Sequence, residues 1–363
     1  MESSKGHKVA AGAGLTLAAL LAYLLLWPVP AEPVIWSPQQ GPGYVGAHAP
    51  NTKLAGLQKI DIGAERGPEH IAMGPDGKLY AAVASGNILR MAADGSQREV
   101  FANTGGRVLG FDFDASGRLV AADAMKGLLA ITPDGKIAVL TDKVADGDPI
   151  RYADGVVVAP NGTVYFTDAS TRFAPAEWGG TFEASVLDIL EQSSTGRVLA
   201  FNPASGKTSI LASGLSFANG IALSGDGKTL FVNETGRYRI WKIDAASGKR
   251  AILFDNLPGY PDNLMRGRDG KIWVGLVKPR NPTIDKLAGK PFMRKLTLRL
   301  PRGLWPVPKA YGHVFAFSED GKVLADLQDP SGAYPETTAV METPDRLYVQ
   351  SLHAGYIGWM PHP

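Results

Sequence analysis

The chain has 363 residues, 45% apolar and 20% charged, with a formal net charge of +2. That is enough apolar material for a large core, and no basic run interleaved with aromatics points to nucleic acid. There is no cysteine, which excludes disulfides, thiolate metal sites, a cysteine nucleophile and a lipid-modified cysteine together.

Residues 1–8 carry Lys5, His7 and Lys8, and residues 9–27 (VAAGAGLTLAALLAYLLLW) are 19 residues without a charge. At 1.5 Å per residue such a helix spans roughly a 30 Å hydrocarbon core. The reading is a transmembrane signal anchor. Positive residues ahead of it put the N-terminus in the cytoplasm and the rest of the chain on the periplasmic or extracytoplasmic side. A cleaved signal peptide is the other reading, but the run exceeds the roughly 7–15 residues of a signal h-region, and prolines crowd the supposed cleavage site. Residues 28–54 are rich in Pro and Gly and read as a partly extended tether.

From residue 55 a hairpin pattern recurs. A short apolar run, a turn rich in Gly, Asn and Asp and a second apolar run appear in HIAMGPDGKLYAAV, GFDFDASGRLVAAD, GVVVAPNGTVYFTD, GIALSGDGKTLFVNE, NLMRGRDGKIWVGL and TAVMETPDRLYVQS. Asn and Gly supply the positive φ that tight hairpin turns need. The turn residues stand at 77, 117, 162, 227, 270 and 345, so successive turns are 40, 45, 65, 43 and 75 residues apart. A unit of about 40 residues matches a four-stranded propeller blade. Each of the first five hairpins is followed by a second, such as GNILRMAADGSQREVF. Insertions at about 172–196 and 279–311 explain the two long intervals. The last unit lacks its outer strand, and LQKIDI at 57–62 can supply it, closing the ring and protecting its edges. The predicted fold is all-β: a six-bladed β-propeller over residues 55–363.

Eight positions before each turn residue stand Glu69, Leu109, Asp154, Asn219, Asp262 and Thr337. Four of these six are carboxylates or carboxamides, where a buried sheet would favour apolar residues. First strands of propeller blades line the central channel, so these side chains converge on the axis, with Asn263 beside Asp262. Three converging carboxylates repel unless a cation sits among them. The candidate metal ligands are Glu69, Asp154, Asn219, Asp262 and Asn263, an all-oxygen set that suits calcium better than zinc. Strand-end capping around a water-filled channel is the other use of such residues.

Glu69 in GPE, Asp154 in YADG, YFTDAS, Asn219 in FANG, Asp262 and Asn263 in GYPDN, and YGHVFAF together resemble the strictosidine-synthase-like branch of the six-bladed calcium propellers. Those propellers also include paraoxonases, gluconolactonases and diisopropylfluorophosphatases. The likeness covers nearly all of 55–363. It implies that Glu69, Asn219, Asp262 and Asn263 hold a catalytic calcium, with Asp262 activating water or acting as nucleophile. Asp154 stands where those relatives usually carry Asn and adds a charge or a base. Leu109 stands at the paraoxonase histidine position, so that proton relay does not transfer. Strictosidine synthase uses a last-blade glutamate. Here Thr337 and Thr338 occupy about that place, and Glu336 is out of register by one or two residues, which on a strand turns a side chain to the other face.

The resulting expectation is a membrane-anchored calcium-dependent hydrolase acting on a hydrophobic lactone or ester, with Asp262 and Asp154 as catalytic residues and His353 as an acid/base candidate at the channel mouth. A strictosidine-synthase-like lyase is one alternative. A non-catalytic binding propeller with structural calcium, serving a membrane assembly, is the other. His313 reads as a structural histidine, and Arg237 and Arg280 as candidates for orienting an anionic group. The basic and apolar residues of 286–309 suggest a lid that also touches an anionic membrane surface.

Overall fold

The computed structural model describes residues 2–362, with side chains from residue 11 onward. It contains six four-stranded antiparallel sheets arranged as the blades of a propeller. Blade one runs from His70–Met73 to Glu99–Asn103, blade two from Val108–Phe113 to Ile137–Thr141, and blade three from Ala153–Val158 to Lys207–Leu215. Blade four runs from Ala218–Leu223 to Arg250–Phe254, and blade five from Gly259–Arg266 to Val323–Asp329. Blade six takes its three inner strands from the C-terminus, and its outer strand is Gln58–Asp61, paired antiparallel with Tyr356–Pro361. The ring closes as its sequence pattern predicts.

The apolar core is distributed between blades. One cluster joins Tyr80 and Ile88 of blade one to Phe111 and Leu119 of blade two. Another joins Val232 and Ile243 of blade four to Val198 and Tyr165 of blade three. Similar clusters bridge blades two and three, four and five, five and six, and six and one. Each blade therefore depends on its neighbours, since each fully buried Leu or Phe contributes roughly 1.5–3 kcal/mol.

Five of the six inner strands carry a register irregularity where the polar column falls: at Val108/Gly110, Ala153/Val156, Ala218/Ile221, Pro261/Leu264 and Thr337/Val340. Bulges re-aim side chains out of simple alternation. The glycine that follows three of the column residues is a steric necessity. A Cβ on Gly155 would meet the carbonyl oxygen of Asn219 at 2.9 Å, and one on Gly220 would meet Leu264 N at 2.4 Å. The inner strands touch backbone to backbone around the axis.

The first insertion folds into helices Pro175–Trp178 and Thr181–Glu191, the second into Pro282–Leu287 and Pro291–Arg299. The expected tether is bound to the ring. Trp36 stacks near Tyr238 with ring centroids 6.3 Å apart, Leu54 is buried, and Arg280 and Arg237 lie over Tyr238 and Trp36 respectively. These two arginines hold the tether and do not face the site.

A helix does form at Glu2–Leu26. However, among the described residues no helix is long and apolar enough to cross a membrane, which corrects the expected transmembrane anchor at 9–27. Lys5 and Lys8 stand in the helix's first turns, so its N-terminal end is not continuously apolar. Its last turn is docked: Arg299 donates to the carbonyls of Leu24 and Trp27, and Tyr23 Oη donates to Arg299 O. A cation on the last carbonyls also complements the helix dipole. Four of the seven basic residues of 286–309 are engaged by the rest of the protein. Besides Arg299, Arg294 donates to the carbonyls of Leu190, Val34 and Ala288, Lys295 pairs with Glu32, and Arg302 pairs with Glu183.

Candidate functional site

Glu69, Leu109, Asp154, Asn219 and Asp262 line one cavity of about 280 Å³ at the propeller axis. Thr337 is turned away; its hydroxyl bridges the backbone N–H and C=O of His313. Asn263 does not line the cavity. Its amide donates to Glu69 O at 3.1 Å, as does the Thr338 hydroxyl at 2.9 Å. The apolar wall is Met125, Tyr152, Phe182 and Phe217. Gly180, Thr181, Phe182 and Ser185 show that the first insertion covers the opening, whereas no residue of 286–309 reaches it. The second insertion instead props the first, through Arg294 to Leu190 O and Arg302 to Glu183.

The inner strands are held in place by a device repeated in three blades. Where the second strand ends, a carboxylate accepts the backbone N–H just ahead of the inner strand. Asp123 takes Arg107 N, Asp168 takes Tyr152 N at 2.8 Å, and Glu234 takes Ser216 N at 2.8 Å. Across blades, Thr167 donates to Asn219 O and Asn233 to Asp262 O. The column residues are therefore fixed through their own peptide groups.

Three carboxylates share this buried space with one guanidinium. Burial, then the charge of Glu69, pushes the Asp154 carboxyl well above the ordinary range. Burial, then Glu69, Asp154 and Glu336, does the same to Asp262. Burial also raises Glu69, against the pull of Arg107. Arg107 pairs with Glu69 Oε2. Sequence reasoning missed Arg107, which stands two residues before Leu109, the one apolar residue of the column within the cavity.

Two polar atoms of the site are buried without a protein partner: Arg107 Nη1 and Asn219 Oδ1. An orphaned amide oxygen beside two mutually repelling carboxylates, Asp154 and Asp262, fits an oxygen-coordinated divalent cation. The donor set and its burial therefore suit calcium.

His353 lines the cavity mouth and pairs through Nδ1 with Glu336, which is also held by Lys278 Nζ at 2.5 Å. The hydrogen bond to Glu336 raises the His353 pKa. Burial pushes Glu336 up, but its bonds to His353 and Lys278 outweigh this and hold it below the usual range. The expectation that Glu336 turns away is corrected. Its φ of 51° is left-handed, so strand alternation does not apply to it, and its charge acts on Asp262 and Glu69. A non-glycine residue held there stores strain of order 1–3 kcal/mol. His313 is structural in the ring, paired through Nε2 with Asp326 at 2.8 Å.

Comparison with known proteins follows this geometry. Residues 46–91 match the strictosidine synthase-like N-terminal family, and residues 71–287 match the SMP-30/gluconolactonase/LRE-like region. Strictosidine synthase-like protein 6 of Arabidopsis thaliana is 34% identical over 311 residues, covering 84% of this chain and 81% of its own. The adipocyte plasma membrane-associated protein of Salmo salar is 30% identical over 373 residues, covering 95% and 87%. Among solved structures, a gluconolactonase from Xanthomonas campestris superposes with a TM-score of 0.61 at 19% identity over 92% of this chain and 99% of its own. A calcium-binding regucalcin from Agrobacterium tumefaciens gives 0.56 at 16% identity, over 84% and 93%. At such identities the structural likeness speaks to the fold. The six-bladed ring, the two matched regions and the plant relatives agree, and the chain belongs to the strictosidine synthase-like group of the SMP-30/gluconolactonase/LRE-like family.

Proposed function

We propose that this protein is a calcium-dependent hydrolase of a lactone or ester with an apolar body. The observation that carries the reading is the pair of buried, unpartnered atoms in the axial cavity: Asn219 Oδ1, an acceptor awaiting a cation, and Arg107 Nη1, a donor awaiting an oxygen. Glu69, Asp154, Asn219 and Asp262 are the ligands, and Asn263 orients Glu69 through its carbonyl. Calcium bound there would polarise the acyl oxygen and lower the cost of its developing charge.

The chain's own residues then divide the work. Met125, Phe182 and Phe217 take the apolar body and exclude water. Arg107 Nη1 donates to the acyl oxygen as charge grows on it, an interaction strengthened by the low local dielectric. Asp262 removes a proton from the attacking water, with Asp154 as its second base. His353, whose proton affinity is raised by its hydrogen bond to Glu336, returns a proton to the leaving oxygen at the mouth. The charge count also balances, since three carboxylates are met by one guanidinium and one divalent cation.

The exposed residues Leu15, Leu17, Leu25 and Leu26 of the N-terminal helix support attachment of the protein to a membrane surface, with the propeller on the extracytoplasmic side. The name of the salmon relative, a plasma membrane-associated protein, supports the membrane attachment alone. A lyase reading has one specific support, the carboxylate of Glu336 in the last blade, which pairs with His353 at the cavity mouth.

The test is hydrolysis of a lactone and ester panel by the full chain, with and without chelator, and by Asp262→Asn. Loss of turnover by orders of magnitude in both cases is expected. Full turnover by Asp262→Asn on any substrate the wild type cleaves refutes the assignment. Amine–aldehyde condensation that is lost in Glu336→Gln and indifferent to chelator would favour the lyase.

A further inference from the structure

Outside the axial cavity, one cluster brings three ligand atoms of metal-binding type within 4.8 Å of one another: His48, His313 and Asp326. His48 Nδ1 and His313 Nε2 each lie 2.8 Å from the same oxygen, Asp326 Oδ2. His48 comes from the tether, in the short helix Gly46–His48, while His313 and Asp326 stand on adjacent strands of blade five, two residues apart in register. We propose that His48, His313 and Asp326 bind one zinc-class divalent cation, which fastens the tether to blade five.

Four observations support a built site. The first is that His313 and Asp326 are buried while His48 keeps 15% of its side chain exposed, so the cluster is shielded and still has an entry path. The second is that the other carboxylate oxygen, Asp326 Oδ1, is already held by Asn51 Nδ2 at 3.0 Å and by Gln328 Nε2. Outer amides of this kind fix the orientation of a ligating carboxylate. Gln328 is itself positioned by Tyr311 Oη at 2.6 Å.

The third is the aromatic surround, with His48 edge-on to Phe315 at 4.8 Å and Tyr44 5.4 Å from His313. Such walls limit water and strengthen the attraction between a cation and the carboxylate. The fourth is the donor set. Two imidazoles and one carboxylate with one position left open are borderline ligands that suit zinc, unlike the all-oxygen axial set. Zinc ligands in a tetrahedron stand about 3.3 Å apart, and each nitrogen already lies 2.8 Å from Asp326 Oδ2. In the metal-free state both rings must instead present N–H to one oxygen.

The experiment strips the full chain with chelator, restores excess calcium to fill oxygen sites, and titrates Zn²⁺ against a chromophoric competitor. Co²⁺ in place of zinc reports coordination through its visible absorption. The expected result is one Zn²⁺ per chain, an affinity at least about 100-fold weaker in His48→Ala and in Asp326→Asn, and a zinc-dependent rise in Tm that His48→Ala lacks. His48 lies outside the sheets, so its variant keeps the ring, and circular dichroism verifies this. Zinc uptake unchanged in His48→Ala, or no stoichiometric zinc at micromolar concentration in the wild type, overturns the proposal and leaves the cluster as a hydrogen-bonded clamp. Neither readout depends on hydrolytic activity.

Discussion

Arg197→Met should destabilise the ring by removing the cation that faces a fully buried carboxylate. Arg197 is buried and donates through Nε to Asp168 Oδ2 at 2.9 Å, through Nη1 to Asp148 and through Nη2 to Pro149 O. Asp168 is fully buried, and its other oxygen holds the N–H groups of Arg151 and Tyr152. Removing one partner of a buried pair costs roughly 3–5 kcal/mol, but protonation of the stranded partner sets a ceiling. Taking a carboxyl from its ordinary 3.8 to neutrality at pH 7 crosses about 3.2 pH units at 1.36 kcal/mol each, or about 4.4 kcal/mol. The expected loss at pH 7 is therefore about 3–4 kcal/mol, a Tm lower by roughly 5–7 °C for a ring of this size.

The pH dependence carries the test. In the wild type burial already raises Asp168, against the pull of Arg197; without Arg197 the folded pKa rises further above the unfolded one. The folded variant then holds a proton that the unfolded chain has released, so its stability falls as pH rises from about 4 and levels off above the folded pKa. Thermal and denaturant unfolding of wild type, Arg197→Met and the double variant with Asp168→Asn, at pH 5 and pH 7.5, checks this. The deficit should be small at pH 5 and large at pH 7.5, and the double variant should recover much of it. A deficit that is equal at both pH values, or below about 1 kcal/mol throughout, refutes the reasoning.

Other outcomes follow from the same geometry. Gly155→Ala should lose about 1–3 kcal/mol, because its Cβ meets only backbone, Asn219 O at 2.9 Å and Gly220 Cα at 3.1 Å; Gly77→Ala, strained but in open space, serves as the comparison by thermal melting. Chelator should lower Tm, by an amount corresponding to about 2.7 kcal/mol at a calcium concentration of 100 Kd, and Asn219→Ala should abolish the difference; calorimetry with and without chelator decides it. In Glu336→Gln the His353 titration seen by NMR should move down toward the ordinary 6.5, because that hydrogen bond is its main support; the stability it contributes lies below that pH and is lost as pH rises through the folded value, and a midpoint that does not move contradicts the pairing. Arg299→Ala should free the last turn of the N-terminal helix and speed proteolysis near Trp27, read by mass spectrometry.

The blade count, the closing strand and the column were legible because turn chemistry and apolar runs repeat at fixed offsets. The bulges were not, since a register shift between Ala153 and Val156 leaves no mark beyond a Gly that also serves other purposes. Arg107 was missed because it enters the cavity from two positions ahead of the column, and Glu336 because alternation was assumed where the backbone is left-handed. The carboxylates closing second strands, Asp123, Asp168 and Glu234, could have been found by asking why AAD, FTD and VNE all end in an acid. The apolar composition at 9–27 suggested a bilayer span that the helix does not provide, and Arg294, Lys295, Arg299 and Arg302 are engaged by main-chain carbonyls and by Glu32 and Glu183. Those uses depend on contacts far apart along the chain, which no local pattern records.

Because the strand that completes blade six is the first of the ring, Gln58–Asp61, a force applied to the N-terminal helix would travel in series through the chain. It would meet the Arg299 clasp, then the Trp36 stack, then His48 and Asn51 on Asp326, before reaching the strand whose removal opens the circle. During synthesis the order reverses. That strand leaves the ribosome first yet waits for Tyr356–Pro361, so five blades and most of the sixth assemble while its edge is unpaired. The fastenings along the tether therefore act as a strain relief for the seam, keeping tension at the helix away from the one joint on which the ring depends.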